Sequence, residues 1–401
     1  MEMTAVRSGY ARTGNSLTFL FCFYLVFCFY EPYTNILVGS VGKYLILLVV
    51  FCFLVSYKAV SIHWIHISII LWFLLKITSI FWVSLNYIVR LHLFSQIGMI
   101  ALFLVMTLVV FDDCFIRAAI CTTLLSSASM GFLSLFFSEP YLNELFSVRQ
   151  VLTLFGAQND PNDQAAFLLV GIAIALYFLM NKSKKLGWNL LLVLIMLINA
   201  YAILKTGSRA GLLACGLIAV LGVVLPDRGR GVLSLRTLRN LSMVLLSGVA
   251  LFLLALRFLP DNTFDRIFRF SSYIGGSGRS MLWENALEIF FQNPFFGGGW
   301  GSYWGYNGVY SAVHNTFIST LTDGGLIGFS LLFVPVFVII LKSFKRGNLL
   351  SLLILLSGVV PALFLDAINK RFFWNALIIG FMLILNNSYK KKLENKQQNS
   401  Y

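Results

Sequence analysis

Apolar residues come in long runs along this chain, separated by short polar stretches. Twelve runs are long enough, or nearly so, to cross a hydrocarbon layer as helices. They lie at 17–30, 44–57, 64–82, 91–111, 114–137, 164–180, 188–204, 210–225, 240–259, 315–341, 349–366 and 372–386. The pattern predicts an all-α polytopic membrane protein of about twelve transmembrane helices. The first two runs are short. No small-residue cleavage site follows Tyr30, so the first run is expected to be a retained span and not a cleaved leader. No internal repeat is visible, and residues 1–401 read as a single integral membrane domain.

Basic residues sit in the short polar stretches. Lys182, Lys184 and Lys185 form one group; Arg228, Arg230, Arg236 and Arg239 a second; Lys342, Lys345 and Arg346 a third; Lys390, Lys391 and Lys392 a fourth. An even number of runs separates each group from the next, so all four are expected on one side. By the positive-inside rule that side is cytoplasmic, and both termini are expected there. The segments 138–163, 205–209, 260–313 and 366–371 then fall on the opposite, outer face. The longest of them, 260–313, predicts a folded periplasmic cap, because structureless loops of that length are uncommon. Within it, Trp283, Ala286, Leu287, Phe290 and Phe291 share one helical face while Glu284, Glu288 and Gln292 share another. Asn293-Pro294 ends that helix.

Composition agrees with a membrane protein. Hydrophobic residues make up 59% of the chain and charged residues 11%, against about a quarter charged in soluble domains. The net charge of +14 would suit nucleic acid, but its placement beside apolar runs reports topology, so no nucleic-acid partner is expected. Cys22, Cys28, Cys52, Cys114, Cys121 and Cys215 all lie in or beside apolar runs and read as buried small hydrophobes, with neither a disulfide framework nor metal-ligand spacing.

Four polar stations mark the outer face: "NDPNDQA" from Asn159, "KTGSRAG" from Lys205, "GGSGRS" from Gly275 and "VHNTF" from Val313. Three of them precede runs that head inward, so three helix N-termini, each with free N–H groups and partial positive charge, point at the outer mouth. Arg209 and Arg279 stand there among small residues that let a ligand approach. The combination favours an anion, a phosphate or diphosphate, held by bidentate guanidinium groups. His314, beside Asn315, is placed to take a proton from a hydroxyl or to orient it. Lys205, Asn162 and Asn315 are candidate substrate-binding residues, as are Trp300, Tyr303, Trp304 and Tyr306, whose rings offer faces for sugars. The other reading of these aromatics is an interfacial belt.

Several polar residues have simpler readings. Lys76, Arg90 and Arg371 read as snorkelling anchors. Arg266 and Arg269 read as the polar edge of a surface helix, with Arg269 able to pair with Asp265. His63 and His66 lack a third metal ligand. Asp160 and Asp163 are explained by helix capping, so no metal is expected.

The stretches "DPNDQA", "TGSRAGLL", "SGR…W…NPFFGGGWGSY" and "HNTFISTLTDGGLIG" together resemble the bacterial O-antigen ligase/polymerase superfamily. The resemblance in motif spans about Gln158 to Phe329, and in topology the whole chain. It implies a C-type membrane glycosyltransferase in the bacterial inner membrane, without cofactor or metal, acting at the periplasmic face. The donor it implies is a glycan on undecaprenyl diphosphate. The acceptor is a second lipid-linked repeat unit for a polymerase or lipid A-core for a ligase, with membrane lipids around it. A chain-length regulator is among the partners it admits. Arg209 and Arg279 match the family's essential arginines and His314 its essential histidine. The aromatic-rich cap favours a polymerase of O-antigen or related polysaccharide over a ligase. A transporter of lipid-linked oligosaccharide, the alternative of another class, would carry charge through a central cavity, whereas the charges here gather on one face.

Overall fold

A computed structural model describes residues 14–57, 60–83, 87–141, 149–180, 185–225, 235–268 and 279–398. Every apolar run is helical. In chain order these helices are α1 (Asn15–Val38), α2 (Val41–Ser56), α3 (Trp64–Thr78), α4 (Tyr87–Thr107) and α5 (Asp113–Phe136). Then come α6 (Pro161–Met180), α7 (Leu186–Lys205), α8 (Arg209–Val224) and α9 (Leu235–Phe258). Two helices of the 260–313 segment follow, α10 (Asp261–Phe268) and α11 (Arg279–Gln292), and then α12 (Thr316–Lys345), α13 (Leu349–Val359) and α14 (Arg371–Gln398). Among the described residues, six helices are long and apolar enough to cross a membrane, and five more apolar helices are shorter. The chain is a multi-pass membrane protein.

The α6 helix is the axis of the bundle. It packs against α5, α7, α8 and α13, and nearly every residue from Asp163 to Leu176 is buried. Its small residues allow this: a Cβ on Gly171 would lie 2.2 Å from Ser127 Oγ of α5. There Asn199 of α7 donates to the same oxygen at 3.0 Å, a polar link of the kind that joins helices in lipid. The α1 and α2 helices pack on α5 and α4, α12 packs on α3 and α11, and α9 lies outside against α7 and α8. Leu245, Leu246, Val249, Leu253 and Leu256 of α9 are exposed, as expected for a surface facing lipid.

Four expectations need correction. The first run is not short: α1 continues through Glu31 and Pro32 to Val38, because the Glu31 carboxylate is paired with Arg371 at the start of α14. Arg371 is therefore a buried ion-pair partner and not a snorkelling anchor. Lys76 is likewise 6% exposed and paired with Asp323. The fold is also not wholly helical, since three short strands, β1 (Ser138–Pro140), β2 (Gln150–Leu154) and β3 (Ala157–Gln158), form a small antiparallel sheet in that order. Its last two strands are joined through Phe155 and Gly156, both at positive φ, the pairing a two-residue hairpin favours. Finally, Cys114 and Cys121 are exposed on α5 and only Cys28 is fully buried.

His63 and His66 cap α3 reciprocally, with the His63 N–H donating to His66 Nδ1 at 3.0 Å and His66 Nε2 paired to Thr107. Lys182, Lys184, Arg228, Arg230, Arg269 and the stretch 275–278 lie outside the described residues.

Candidate functional site

The four outer segments meet. Asp160 caps α6, accepting from the N–H groups of Asn162 at 2.8 Å and Asp163 at 3.3 Å. Asn162 Oδ1 then accepts from Arg149 Nη2 and from Ser208 Oγ, both at 2.8 Å. Ser208 in turn caps α8 by accepting from the Gly211 N–H at 3.2 Å. Asp163, 5% exposed, receives Lys370 Nζ at 2.5 Å, which brings in the 366–371 segment. The Thr316 hydroxyl closes the ring at the start of α12, accepting from the Ala367 N–H at 2.8 Å and donating to the Leu365 carbonyl.

Arg149 stands in the middle of this arrangement. It precedes β2, is 5% exposed, and donates from Nε to the Thr206 carbonyl at 3.1 Å. Nothing in "SVRQ" distinguishes it as a sequence from a solvated loop arginine. A Cβ on Gly207 would lie 3.3 Å from Arg266 Cδ and 3.6 Å from Arg149 Cγ. Both arginine stems thus pass over a bare backbone. Arg209, the first residue of α8, turns towards α10 and donates from Nε to the Arg266 carbonyl at 2.8 Å. Arg266 belongs to this lining and is more than a surface residue.

Arg279 begins α11, and His314 immediately precedes Asn315, the cap of α12. One turn into α11, Trp283 Nε1 donates to the Val313 carbonyl at 3.0 Å. Val313 is buried in the small core of the cap with Leu282, Ala286, Ile289 and Tyr303. The buried stripe of α11 is thus Leu282, Ala286 and Ile289, and Phe291 is 72% exposed, a rotation from the face expected. His314 has φ 54°, left-handed backbone that a non-glycine residue adopts only where its surroundings hold it.

Burial pushes the His314 imidazole below its ordinary pKa, and the positive charges of Arg279, Lys370 and Arg149 push the same way, against the pull of Asp160. The ring is neutral at pH 7 and able to accept a proton. Burial and the neighbouring Arg149 also weaken the hold of Arg279 on its proton, but a guanidinium stays charged throughout the physiological range. Burial raises Asp366 to about 6, whereas Asp163, Asp160 and Asp366 hold Lys370 charged, outweighing its burial. His314 thus lies within the influence of Arg279, Lys370 and Arg149, with Asp160 acting against them. Among the described residues no three His, Cys, Asp or Glu side chains converge as a metal site would require.

The expected substrate-binding residues divide. Asn162 is occupied by Arg149 and Ser208. Asn315 Oδ1 accepts from the N–H groups of Phe317 and Ile318, at 3.0 and 3.1 Å. Lys205 Nζ donates to the Ser134 carbonyl at 3.0 Å. Trp300 and Tyr303 are 3% and 5% exposed, so the expectation of open ring faces is corrected for both: the cap folds over them. Trp304 and Tyr306 remain half-buried, with Trp304 edge-on to the exposed Tyr310. Trp304, Tyr306 and Tyr310 are therefore the accessible rings of the stretch 300–310.

Residues 194–333 match the family model described as O-Antigen ligase. The matched stretch contains Arg209, Arg279 and His314, and α8 to α11 entire. The chain thus resembles the O-antigen ligase/polymerase superfamily over the stretch that carries Arg209, Arg279 and His314, while Arg149, Asp163 and Lys370 lie outside it. No curated protein matches it.

Proposed function

We propose that this protein is a glycosyltransferase of the periplasmic face of the bacterial inner membrane, transferring a glycan from undecaprenyl diphosphate to a sugar hydroxyl. The observation that carries the reading is the Trp283–Val313 hydrogen bond, which ties the helix that begins at Arg279 to the residue before His314, with Arg149 and Lys370 close enough to act on the imidazole. In the reaction the acceptor hydroxyl loses its proton to His314 as its oxygen bonds to the donor's anomeric carbon. The bond from that carbon to the diphosphate oxygen breaks, and its electron pair leaves with the diphosphate. Charge grows on the leaving group, and Arg279, with Arg149 nearby, stabilises it there, while Arg209 holds the α10 backbone beside them. Fixed guanidinium groups take the part a metal ion plays in many phosphate chemistries, so the reaction is metal-independent and needs no cofactor.

The acceptor sets the biology. The aromatic surface of the half-buried Trp304 and Tyr306 and the exposed Tyr310 suits a lipid-linked repeat unit, which makes the protein a polymerase of O-antigen or a related polysaccharide. The family description favours the second reading, a ligase that moves the chain to lipid A-core. A deletion strain separates them: lipopolysaccharide cores bearing one repeat unit mark a lost polymerase, and bare cores with polymer still lipid-linked mark a lost ligase. An unchanged ladder would refute both. The positive groups crowd one end of the bundle, which supports an enzyme over a transporter. All twelve apolar helices are taken to span, with both termini cytoplasmic.

A further inference from the structure

The α12 helix is broken at Gly325, where φ is 60° and ψ −161°, and the break is filled by another part of the chain. The Gly298 and Gly299 N–H groups donate to the Thr322 and Asp323 carbonyls at 2.8 and 3.1 Å. The Leu326 and Ile327 N–H groups donate to the Pro294 and Phe295 carbonyls at 2.8 and 3.1 Å. Backbone freed by the break is thus satisfied by the loop 294–299, as it must be at membrane depth. The approach needs glycine on both sides. A Cβ on Gly297 would lie 2.6 Å from the Thr322 oxygen and the Gly324 and Gly325 nitrogens, and one on Gly325 would lie 2.4 Å from the Phe295 carbonyl.

Beneath this splice lies an ion pair. Lys76 Nζ of α3 is 3.4 Å from Asp323 Oδ2, and the other carboxylate oxygen accepts from the Gly301 N–H at 3.1 Å. The same ammonium lies 4.7 Å from the ring centre of Trp300 and 5.3 Å from that of Trp72. Ser79 Oγ accepts from the Trp300 N–H at 2.8 Å. Burying two charges costs stability that an apolar pair would not, and the best-attested return is a fixed register. Here the register runs to the reacting groups. The Thr322 hydroxyl donates to the Ala286 carbonyl of α11 at 3.0 Å, and α11 carries Arg279 at its start while α12 follows directly on His314.

We propose that the Lys76–Asp323 pair is a positioning device: it seats the loop 294–301 in the break of α12 and so sets Arg279 against His314. The inference rests on the reading of those two residues as the reacting pair. Lys76 and Asp323 act through the loop and touch no substrate.

The test uses the full-length protein purified in detergent, with Cys22, Cys52, Cys114, Cys121 and Cys215 changed to serine, which leaves only the buried Cys28. Ser302→Cys serves as reporter, since the Ser302 hydroxyl is buried under the loop. Two quantities are read, the rate of maleimide labelling and the kcat and KM for transfer from a lipid-linked repeat unit. Asp323→Asn should speed labelling about tenfold or more and lower kcat about tenfold, with KM moving less, as loss of transition-state alignment requires. Lys76→Arg keeps the charge and the ring contact and should stay within about threefold on both. Ser79→Ala, a milder lesion that serves if Asp323→Asn does not accumulate, should shift both in the same direction by less. Unchanged labelling, or fast labelling with kcat intact, overturns the proposal. A parent protein that labels slowly yet transfers nothing would instead overturn the glycosyltransferase reading, and the labelling of Asp323→Asn alone then decides whether the pair holds the loop.

Discussion

Trp283 and Val313 are joined by a single hydrogen bond, indole N–H to backbone carbonyl at 3.0 Å, and through it the helix that begins at Arg279 is fixed to the residue before His314. Trp283→Phe keeps most of the ring and removes the donor. The Val313 carbonyl, buried in the cap core, would lose its partner at a cost of about 1–3 kcal/mol. Transfer by the purified variant should drop about tenfold, more in kcat than in KM. Wild-type kinetics would mean the bond is not what aligns the pair.

Arg279 and Arg266 should behave differently although both lie in the cap. Arg279→Ala and Arg279→Lys should each lose on the order of 3 kcal/mol of transition-state stabilisation, a hundredfold or more in rate, because lysine cannot supply the planar fork. Arg266→Ala should stay within a few-fold, since the group that Arg209 uses at this position is the backbone carbonyl, which alanine retains. Transfer assays on variants matched for expression check this. Equal losses at both positions would mark the cap as a folding unit without a distinct anion site.

The pH profile follows from His314. Its pKa is lowered from the ordinary imidazole value by burial and by Arg279, and the neutral ring is the working form. Transfer should therefore hold level from pH 8 down through 6.5 and fall only below that, as the ring protonates. A rate that climbs as the pH drops through this window would make the imidazolium the working form and exclude His314 as base.

Topology is checked by reporter fusions. Fusions at Lys185 and Arg346 should report cytoplasmic and one at Tyr306 periplasmic. A cytoplasmic signal from Tyr306 would remove both the orientation and the site built on it.

The helices were legible in the sequence because lipid permits little else, and apolar runs of span length have few alternatives. The ends of α11 were legible from Asn293-Pro294 and its charged face. Arg279 and His314 stood out because unusual residues flank them at helix starts. Arg149, Lys76 and Arg371 were not legible, for a common reason. Each is a cation near an apolar run, and its partner, whether Asn162, Asp323 or Glu31, is brought to it only by tertiary packing. Trp300 and Tyr303 failed in the same way. An aromatic in a glycine-rich loop looks like an open face until the loop is seen to dock by its own backbone into a broken helix.

On this mechanism, positive side chains and one neutral histidine suffice for glycan transfer. The direct measurement is transfer from a lipid-linked repeat unit by purified protein in excess EDTA, with His314→Ala assayed beside it. Full activity in the wild type, and a loss of about a hundredfold or more in the variant, is the result predicted. Activity that returns only with magnesium, or a His314→Ala protein as fast as wild type, would contradict it.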